Sequence, residues 1–309
     1  MIHGELATTV AQLTAGRRPF VLATVVRARR PTSVQPGDTA VVLADGTIDG
    51  FVGGVCAQSS VRLHGLRALE TGEPLLLRLV PGDPMTAGEA GDGEVAGTLD
   101  GAVVEHNPCL SGGALEIFLE PHLPAARVAV IGASPIARAV ERVALAAGYD
   151  CERTETADAD GDDGLAGAAA VIVASHGNGE EQILDRALSA GVPYVALVAS
   201  PRRGTAVRSE LGVPAELAAQ LHTPAGLDIG ARTPAEIAVS ILAQLIEAQH
   251  ADPAPGRPAV SVDAVAVDPV CGMSVAVVAA TPQLELAGEH VYFCGPGCRD
   301  RYGAEHAGA

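Results

Sequence analysis

The sequence contains no lysine, and all twenty of its basic residues are arginine. Because alanine is so common, we attribute this to coding bias rather than to chemistry. Basic residues are also few: 20 stand against 37 acidic residues, which gives a formal net charge of −17. No stripe of arginines offsets that charge, and non-specific binding to nucleic acids requires a positive face. The composition therefore argues against a nucleic-acid-binding protein.

Long apolar runs are absent as well. No run approaches the roughly 20 residues needed to cross a bilayer, and residues 1–6 lack the basic-then-apolar layout of a secretory signal. We therefore predict a cytoplasmic protein without a membrane partner. Since thiols stay reduced in the cytoplasm, the six cysteines are expected to be metal ligands or reactive groups rather than disulfides.

What is present is the composition of a globular protein, with 48% apolar and 18% charged residues. Residues 1–124 mix β-like runs with helical patterns and predict an α+β domain. From Arg127 onward, buried-strand runs alternate with helices, which predicts a Rossmann-like, doubly wound parallel sheet over residues 125–248. The proline-rich segment 249–263 is typical of a linker, and residues 264–309 form a small cysteine-rich module. The predicted fold class is therefore α/β.

The individual elements follow from hydrophobic periodicity and turn residues. The predicted strands are 20–26, 39–43, 47–52, 75–80, 101–105 and 115–119 in the first domain, and 127–131, 170–174 and 194–198 in the second. The predicted helices are 4–15, 56–71, one ending at 147, one near 180–190, and one that begins with the capping box Thr233-Pro-Ala-Glu236. The segment 151–163 is too acidic and glycine-rich to predict a clean strand.

Two glycines and a cysteine stand where an extended run gives way to a helix, in Phe51-Val-Gly-Gly-Val-Cys-Ala-Gln58. Gly53 and Gly54 allow positive φ or a close approach of backbone to a ligand. Cys56 then lies near a helix N-terminus, where the helix dipole favours the thiolate. A thiolate there can hold a soft metal centre, a sulfur atom or an anionic cofactor. The alternative is a small residue packed under the preceding hairpin.

The C-terminal module also concentrates reactive side chains. It contains Cys271 and the motif Cys294-Gly-Pro-Gly-Cys298, which folds tightly enough for both of its sulfurs to meet one ion. A module of about 45 residues seldom closes a core unaided, and a bound metal is a usual remedy. Three thiolates suit zinc or copper(I), with His290, Asp268, water or a guest molecule as fourth ligand. The alternative is that these cysteines only pack beside the neighbouring aromatic residues.

A turn in the second domain resembles a dinucleotide fingerprint. Val130-Ile-Gly-Ala-Ser-Pro-Ile-Ala137 lies between the first strand and helix, where such a fold binds phosphate. Of the three expected glycines only Gly132 is present, with Ser134 in the second place and Ala137 in the third. The turn can still accept phosphate, so NAD binding is one hypothesis and a scaffold used for packing is the other.

Two further loops carry candidate binding residues. Ser200-Pro-Arg-Arg-Gly204 places Arg202 and Arg203 near a helix N-terminus, which suits either a bound phosphate or a solvated basic turn. His176 follows a strand at its carboxyl end, where folds of this type keep ligands. It is therefore a candidate wall of a site.

Several motifs together resemble a known family. Gly53-Gly-Val-Cys56 and the segment Asn107-Pro-Cys-Leu-Ser-Gly-Gly-Ala-Leu-Glu-Ile-Phe-Leu-Glu-Pro121 are similar to the N-terminal domain of the xanthine dehydrogenase accessory family (XdhC/CoxI type). Segments 194–203 and 226–238 resemble its Rossmann-type C-terminal domain, so that the likeness covers residues 4–248. The tail segments 268–273 and 292–298 resemble the YHS domain, which implies a ligand role for its three cysteines.

The resemblance implies a chaperone rather than a turnover enzyme. Such a protein binds molybdenum cofactor, supports its sulfuration and delivers it to an apo molybdenum hydroxylase such as xanthine or carbon monoxide dehydrogenase. A cysteine desulfurase and a second copy of the chain are further candidate partners. Two other hypotheses stand beside this one: an NAD-dependent oxidoreductase, and a metal carrier or sensor acting through the tail cysteines.

The resemblance also implies which residues bind the cofactor, with Cys56 and Cys109 on either side of the molybdenum. Carried over by position, the expected cofactor-binding residues are Gly53, Gly54, Cys56, Cys109, Gly112 and Gly113. Our candidate set is completed by Gln58, Ser111, Gly132, Ser134, His176 and Arg202. This chain has Val55 and Gln58 where the family commonly has a glycine and a glutamate.

Overall fold

The computed structural model describes residues 4–82, 98–99, 102–107, 113–155, 165, 167–175, 177, 179–251, 264–286 and 288–306. The chain divides into two compact units. The first unit combines Met1–Pro124 with Pro258–Ala309, and the second is Ala125–Arg257. The cysteine-rich tail therefore packs with the N-terminal part of the chain, although the whole second unit lies between them in sequence.

The first unit is an α+β domain built on one sheet. Its elements begin with α1 (Gly4–Ala15), β1 (Phe20–Arg29), β2 (Thr39–Leu43), β3 (Ile48–Gly50), α2 (Val55–Thr71), β4 (Leu75–Pro81), β5 (Thr98–Leu99), β6 (Ala102–Asn107) and β7 (Ala114–His122). The seven strands lie in the order β3-β2-β1-β7-β4-β6-β5. Neighbouring strands are antiparallel except for the parallel pair β4 and β6.

Helices cover both faces of this sheet. Side chains alternate along β1, so that successive residues point to opposite faces. Val21 and Ala23 belong to the main core, which α2 closes with Leu66 among others. Phe20 packs in a smaller cluster with Leu13 of α1. The arrangement fixes α2, and with it the Gly-Gly-Val-Cys turn, firmly against the sheet.

A buried polar pair joins α2 to β6. His64 of α2 and Glu105 of β6 are 2% and 8% exposed, and His64 Nε2 lies 3.2 Å from Glu105 Oε2. Neither residue was singled out from the sequence, because nothing local indicates that α2 and β6 meet.

We expect Glu105→Ala to lower the free energy of unfolding by about 2 kcal/mol, because His64 would stay buried without the carboxylate that it faces. Urea denaturation of the full chain measures this change. The control is Glu120→Ala on β7, whose side chain is 52% exposed and whose loss should cost less than about 0.5 kcal/mol. Equal losses in the two variants would contradict a stabilising role for the buried pair.

The second unit is a doubly wound parallel sheet, as predicted. Its elements are β8 (Arg127–Ile131), α3 (Pro135–Ala146), β9 (Asp150–Thr154), β10 (Ala170–Val173), α4 (Glu180–Ser189), β11 (Tyr194–Leu197), α5 (Pro201–Glu210), α6 (Ala215–Ala218), β12 (Leu221–His222) and α7 (Pro234–Ala251). The strands lie in the order β12-β11-β10-β8-β9, and all of them run parallel. The strands contribute side chains to two apolar cores. The first core also contains residues of α3 and α7, and the second core also contains residues of α4 and α5.

Two details of this unit differ from the sequence prediction. No clean strand was expected after Asp150, but Asp150–Thr154 forms β9 and pairs with β8. β9 is an edge strand, so it tolerates charged residues such as Glu152 and Arg153 that a central strand would exclude. Helix α7 also runs to Ala251, into the predicted linker.

The start of α7 confirms the predicted capping box. The Thr233 amide donates to Glu236 Oε2 at 2.9 Å, and the Glu236 amide donates to Thr233 Oγ1 at 3.3 Å.

Within the part of the chain that the structure describes, no helix combines the length and the apolar character needed to cross a membrane.

The tail completes the first unit with short elements. These are β13 (Val265–Val267), β14 (Ser274–Ala276), β15 (Gln283–Leu286), β16 (Glu289–Tyr292) and α8 (Pro296–His306), arranged as two antiparallel pairs and a helix. Ala276 of β14 is 1% exposed and lies within the main core that α2 and the sheet form, and Val278 packs against that core. The tail is therefore anchored on the N-terminal part by apolar side chains.

Candidate functional site

The turn before α2 depends on its two glycines. Gly53 has φ +138°, and a Cβ there would lie 2.8 Å from the Cβ of Ala57. Gly54 is the N-cap and therefore brings no side chain to cap the first amides of the helix. Cys56 is the second residue of α2 and is half-buried, as is Gln58. The local sequence thus places a thiol at a helix start where no side chain caps the backbone.

The second predicted glycine loop approaches the same region from β7. A Cβ on Gly113 would overlap the carbonyl oxygen of Pro31, so only glycine allows this backbone contact. Leu115 lies two residues further along, and its Cδ1 would lie 3.3 Å from a Cβ on Gly53. The start of β7 therefore lies beside the Gly53 turn. Cys109, Ser111 and Gly112 fall outside the described residues, and the meeting of Cys56 with Cys109 stays a prediction.

The tail brings four possible ligands together. Among the residues that the structure describes, Asp268, Cys271, Cys294 and Cys298 offer ligand atoms that all lie within 4.8 Å of one another. Cys294 is central, since its Sγ lies 3.6 Å from that of Cys271 and 3.7 Å from that of Cys298. Of the two side chains predicted as fourth ligand, Asp268 is in this cluster, whereas His290 is exposed on β16.

Asp268 organises the loops that carry these thiols. Its side chain is fully buried, and its two oxygens accept from the backbone amides of Val270 at 2.9 Å and of Cys294 at 2.8 Å. A buried carboxylate needs such donors to offset the loss of water. Asp268 therefore holds the two cysteine-bearing segments of the tail in fixed positions relative to each other.

Electrostatics distinguish the three tail thiols. Burial would raise the pKa of Asp268, but hydrogen bonds, led by that from the Cys294 amide, outweigh it and keep this pKa low. The hydrogen bond with Cys294 lowers the pKa of Cys271. Hydrogen bonds to neighbouring thiols, followed by burial, raise the pKa of Cys294, and burial above all raises the pKa of Cys298 to about 12. A cation that binds these thiols would displace their protons.

Cys56 lies beside this cluster, although its thiol is not among the ligand atoms that lie within 4.8 Å of one another. It packs against the small apolar group formed by Met273, Val275 and Cys294. A hydrogen bond with the Cys56 thiol is one of the causes that raise the pKa of Cys294. Sequence analysis treated Cys56 and the tail cysteines as two separate sites, and the structure brings them together.

In the second unit, the fingerprint turn is already engaged in contacts with other parts of the same protein. Gly132 has φ +133°, and a Cβ there would overlap the carbonyl oxygen of Ala174. Ser134 caps α3, accepting at its Oγ from the Ala137 amide at 3.0 Å. Arg153 donates to the Gly132 carbonyl at 3.1 Å. The turn's glycine and serine are therefore explained by packing and capping, which favours the scaffold hypothesis over NAD binding.

The arginines predicted near a helix N-terminus have different roles. Ser200 caps α5, and Arg202 is exposed in its first turn. Arg203 forms an ion pair with Glu180, whose side chain is fully buried and also accepts from Ser175 Oγ at 3.0 Å and from the Gly177 amide at 2.8 Å. Glu180, the first residue of α4, was missed from the sequence, although it lies in the segment that follows strand β10. His176 lies outside the described residues.

Two family models match the chain. The model described as the XdhC Rossmann domain matches residues 128–245, and that of the XdhC and CoxI family matches residues 13–79. The first match falls in the second unit and the second match in the first unit. The chain therefore belongs to the XdhC and CoxI family, as its motifs predicted. The YHS-like character of the tail stays a prediction.

Individual relatives add little detail. The chain is 29% identical over 276 residues to the protein of Escherichia coli (strain K12) named uncharacterized protein YqeB, over 81% of this chain and 47% of YqeB. The chain thus spans about half the length of that relative. It is also similar to a crystal structure titled a xanthine dehydrogenase from Bacillus halodurans, at 16% identity over 80% of this chain and 95% of that chain. The TM-score of that likeness is 0.35, too low to support a conclusion.

Proposed function

We propose that this protein is a chaperone for molybdenum cofactor, which it holds during sulfuration and inserts into an apo molybdenum hydroxylase. The xanthine and carbon monoxide dehydrogenases are the expected class of client, with a cysteine desulfurase as the source of sulfur. One observation carries the proposal. In a chain of the XdhC and CoxI family, the Cys56 thiol stands at the uncapped start of α2, directly behind Gly53 and Gly54.

The residues of this turn fit the chemistry of the cofactor. Molybdenum cofactor carries a phosphate, a polar pterin and a soft metal with sulfur ligands. A thiol is the protein ligand that matches a soft metal, and glycine backbone permits close approach of a flat, polar ring system. Cys56 would contact or shield the metal, and Gly53, Gly54 and Gly113 would bring backbone amides and carbonyls to the rest. The bound cofactor itself would supply the reactive metal for the client enzyme.

We further propose that the tail cluster binds a soft metal such as zinc. Three thiols and a carboxylate oxygen within 4.8 Å of one another form a donor set suited to it. The same observation supports a second candidate function, a metal carrier or sensor that acts through the tail. The two functions differ in what leaves the protein, which is the molybdenum cofactor in one case and the tail metal in the other.

We expect Cys56→Ser to weaken binding of molybdenum cofactor at least tenfold, or about 1.4 kcal/mol, because an alcohol is a poor ligand for a soft metal. Binding is measured with the full chain after treatment with a chelator, so that no tail metal competes for Cys56. Cys151→Ser is the matched control, since Cys151 is also half-buried but lies in the second unit. Unchanged affinity in Cys56→Ser would count against the proposed site.

A further inference from the structure

The tail is seated on the start of α2 by close contacts. Gly295 lies against Val55, since a Cβ on Gly295 would overlap Val55 Cγ1. On the other side of the tail, a Cβ on Gly46 would lie 2.8 Å from Cγ2 of Val278. Together with the burial of Ala276 in the main core, these contacts set the distance between the tail and α2. The docked position is therefore specific rather than a loose association.

Docking brings a fourth thiol to the tail cluster. Cys56 of α2 packs against the apolar cluster that Met273, Val275 and Cys294 form. Cys294 in turn contacts Cys271 and Cys298 through sulfur. The three tail sulfurs are thus linked through Cys294, and a fourth cysteine, on α2, packs against the cluster that contains this central residue.

Two side chains compete for the fourth place beside the three tail thiols. Asp268 has both oxygens engaged by the amides of Val270 and Cys294, so it already serves as a support. Cys56 offers a thiolate, which soft metals prefer to a carboxylate. Closed structural zinc sites commonly have four cysteine ligands, with hydrogen-bonded groups outside them. Asp268 belongs to the group of ligand atoms within 4.8 Å of one another and Cys56 does not, so the Cys56 thiol would have to move toward the ion. The donor chemistry nevertheless favours Cys56 as ligand and Asp268 as its supporting neighbour.

Two helix starts help to balance the negative charge of such a site. Cys56 is in the first turn of α2, and Cys298 is in the first turn of α8. The partial positive charge at a helix N-terminus stabilises a thiolate. Two of the four sulfurs therefore lie where a helix N-terminus would help to offset the negative charge of a bound metal–thiolate group.

We propose that Cys56, Cys271, Cys294 and Cys298 bind one soft metal ion together, so that metal in the tail and molybdenum cofactor at Cys56 exclude each other. The first half of this proposal depends only on the cluster. The second half rests on the proposed function, because it assigns Cys56 to the cofactor. A metal ion bound in the tail would occupy the Cys56 thiol, so that the cofactor could not bind at the Gly53–Cys56 turn. Removing the metal would make the Cys56 thiol available to the cofactor again.

The composite site is tested with zinc bound to the full chain, by counting sulfur ligands in zinc X-ray absorption spectra. We expect four sulfurs in the wild-type protein and in Asp268→Asn, but three in Cys56→Ser, with zinc affinity at least tenfold lower in Cys56→Ser. Cys151→Ser should match the wild type in both measurements. Three sulfurs in the wild type with no change in Cys56→Ser, or a chain that binds no zinc, would overturn the composite site.

A second variant tests the docking without touching a ligand. Gly295→Ala should lower zinc affinity at least tenfold, because the new methyl group would push the tail away from Val55. Gly297→Ala is the matched control, since a Cβ there meets nothing within 4 Å. Adding Val55→Ala to Gly295→Ala should restore part of the affinity. Equal zinc affinity in Gly295→Ala and Gly297→Ala would contradict the role of the docked position.

The exclusion is tested by measuring binding of molybdenum cofactor to metal-free and zinc-loaded protein. Zinc should weaken binding at least tenfold, and Gly295→Ala should reduce this effect. Equal affinity with and without zinc would overturn the exclusion. A metal-free chain that binds no cofactor would defeat the proposed function, and the exclusion with it, whereas the sulfur count would still decide whether Cys56 is a zinc ligand.

Discussion

Replacing Arg203 with alanine is expected to lower the free energy of unfolding of the second unit by about 3 kcal/mol. The reason is that Glu180, which is fully buried, would lose the only cation among its partners described above while keeping its charge. Breaking a buried ion pair costs about 3–5 kcal/mol. We choose the lower end because the Arg203 side chain is 36% exposed, so water can reach the gap that it leaves.

The chain offers a matched control in the adjacent arginine. Arg202 lies in the same turn of α5 but is exposed, so Arg202→Ala should change the free energy of unfolding by less than about 0.5 kcal/mol. Adding Glu180→Gln to Arg203→Ala should recover part of the loss, because it removes the unpaired charge. The free energy of unfolding of each variant is measured by urea denaturation. Hydrogen exchange of the backbone amides in the second unit follows the unfolding of that unit. Equal losses for the two arginines would show that the ion pair does not stabilise the fold.

Replacing Cys294 with serine is expected to lower zinc affinity of the full chain at least a hundredfold, or about 2.7 kcal/mol. Cys294 is buried and is the sulfur that contacts both Cys271 and Cys298. Its amide also donates to Asp268, so the backbone around it is already held in place for binding. An alcohol in its place would remove the thiolate that contacts both of the other tail sulfurs, and an alcohol is a poor ligand for a soft metal.

Zinc should also stabilise the wild-type protein against unfolding, because it binds the folded tail and not the dispersed cysteines. At a free zinc concentration of a hundred times Kd, this linkage contributes about 2.7 kcal/mol. A chelator should remove that gain from the wild type and from Cys151→Ser, and should change the free energy of unfolding of Cys294→Ser by no more than about 0.4 kcal/mol. If the chelator left the wild-type midpoint unchanged, the tail cluster would not be a metal site.

Much of the architecture was predictable because it is encoded locally. The strands of the parallel sheet are short apolar runs, and the start of α7 is a reciprocal cap between Thr233 and Glu236. Strand β9 escaped prediction for an equally physical reason. It lies at the edge of the sheet and therefore lacks the apolar run that identifies a buried strand.

The candidate sites likewise divide into features that the local sequence encodes and features that depend on the tertiary structure. The sequence indicated Gly53, Gly54 and Cys56 correctly as a glycine turn that opens a helix, since turn and helix are neighbours in the chain. It also found the tail cysteines by their spacing. For the loops of the second unit it left ligand binding and a structural role both open, and only the structure revealed that Ser134 caps a helix and that Arg203 pairs with Glu180. Those roles depend on partners that local patterns do not reveal.

The sequence by itself determined the two domain types, the family, the glycine turn at Cys56 and the cysteine spacing of the tail. Each depends on residues a few positions apart, where backbone geometry and periodicity decide the outcome. Only the tertiary structure decided that Cys56 lies beside Cys294 and that Val55 is the surface on which Gly295 rests. The physical reason is that docking depends on the complementary shape of two surfaces, and an entire folded unit separates them in the chain.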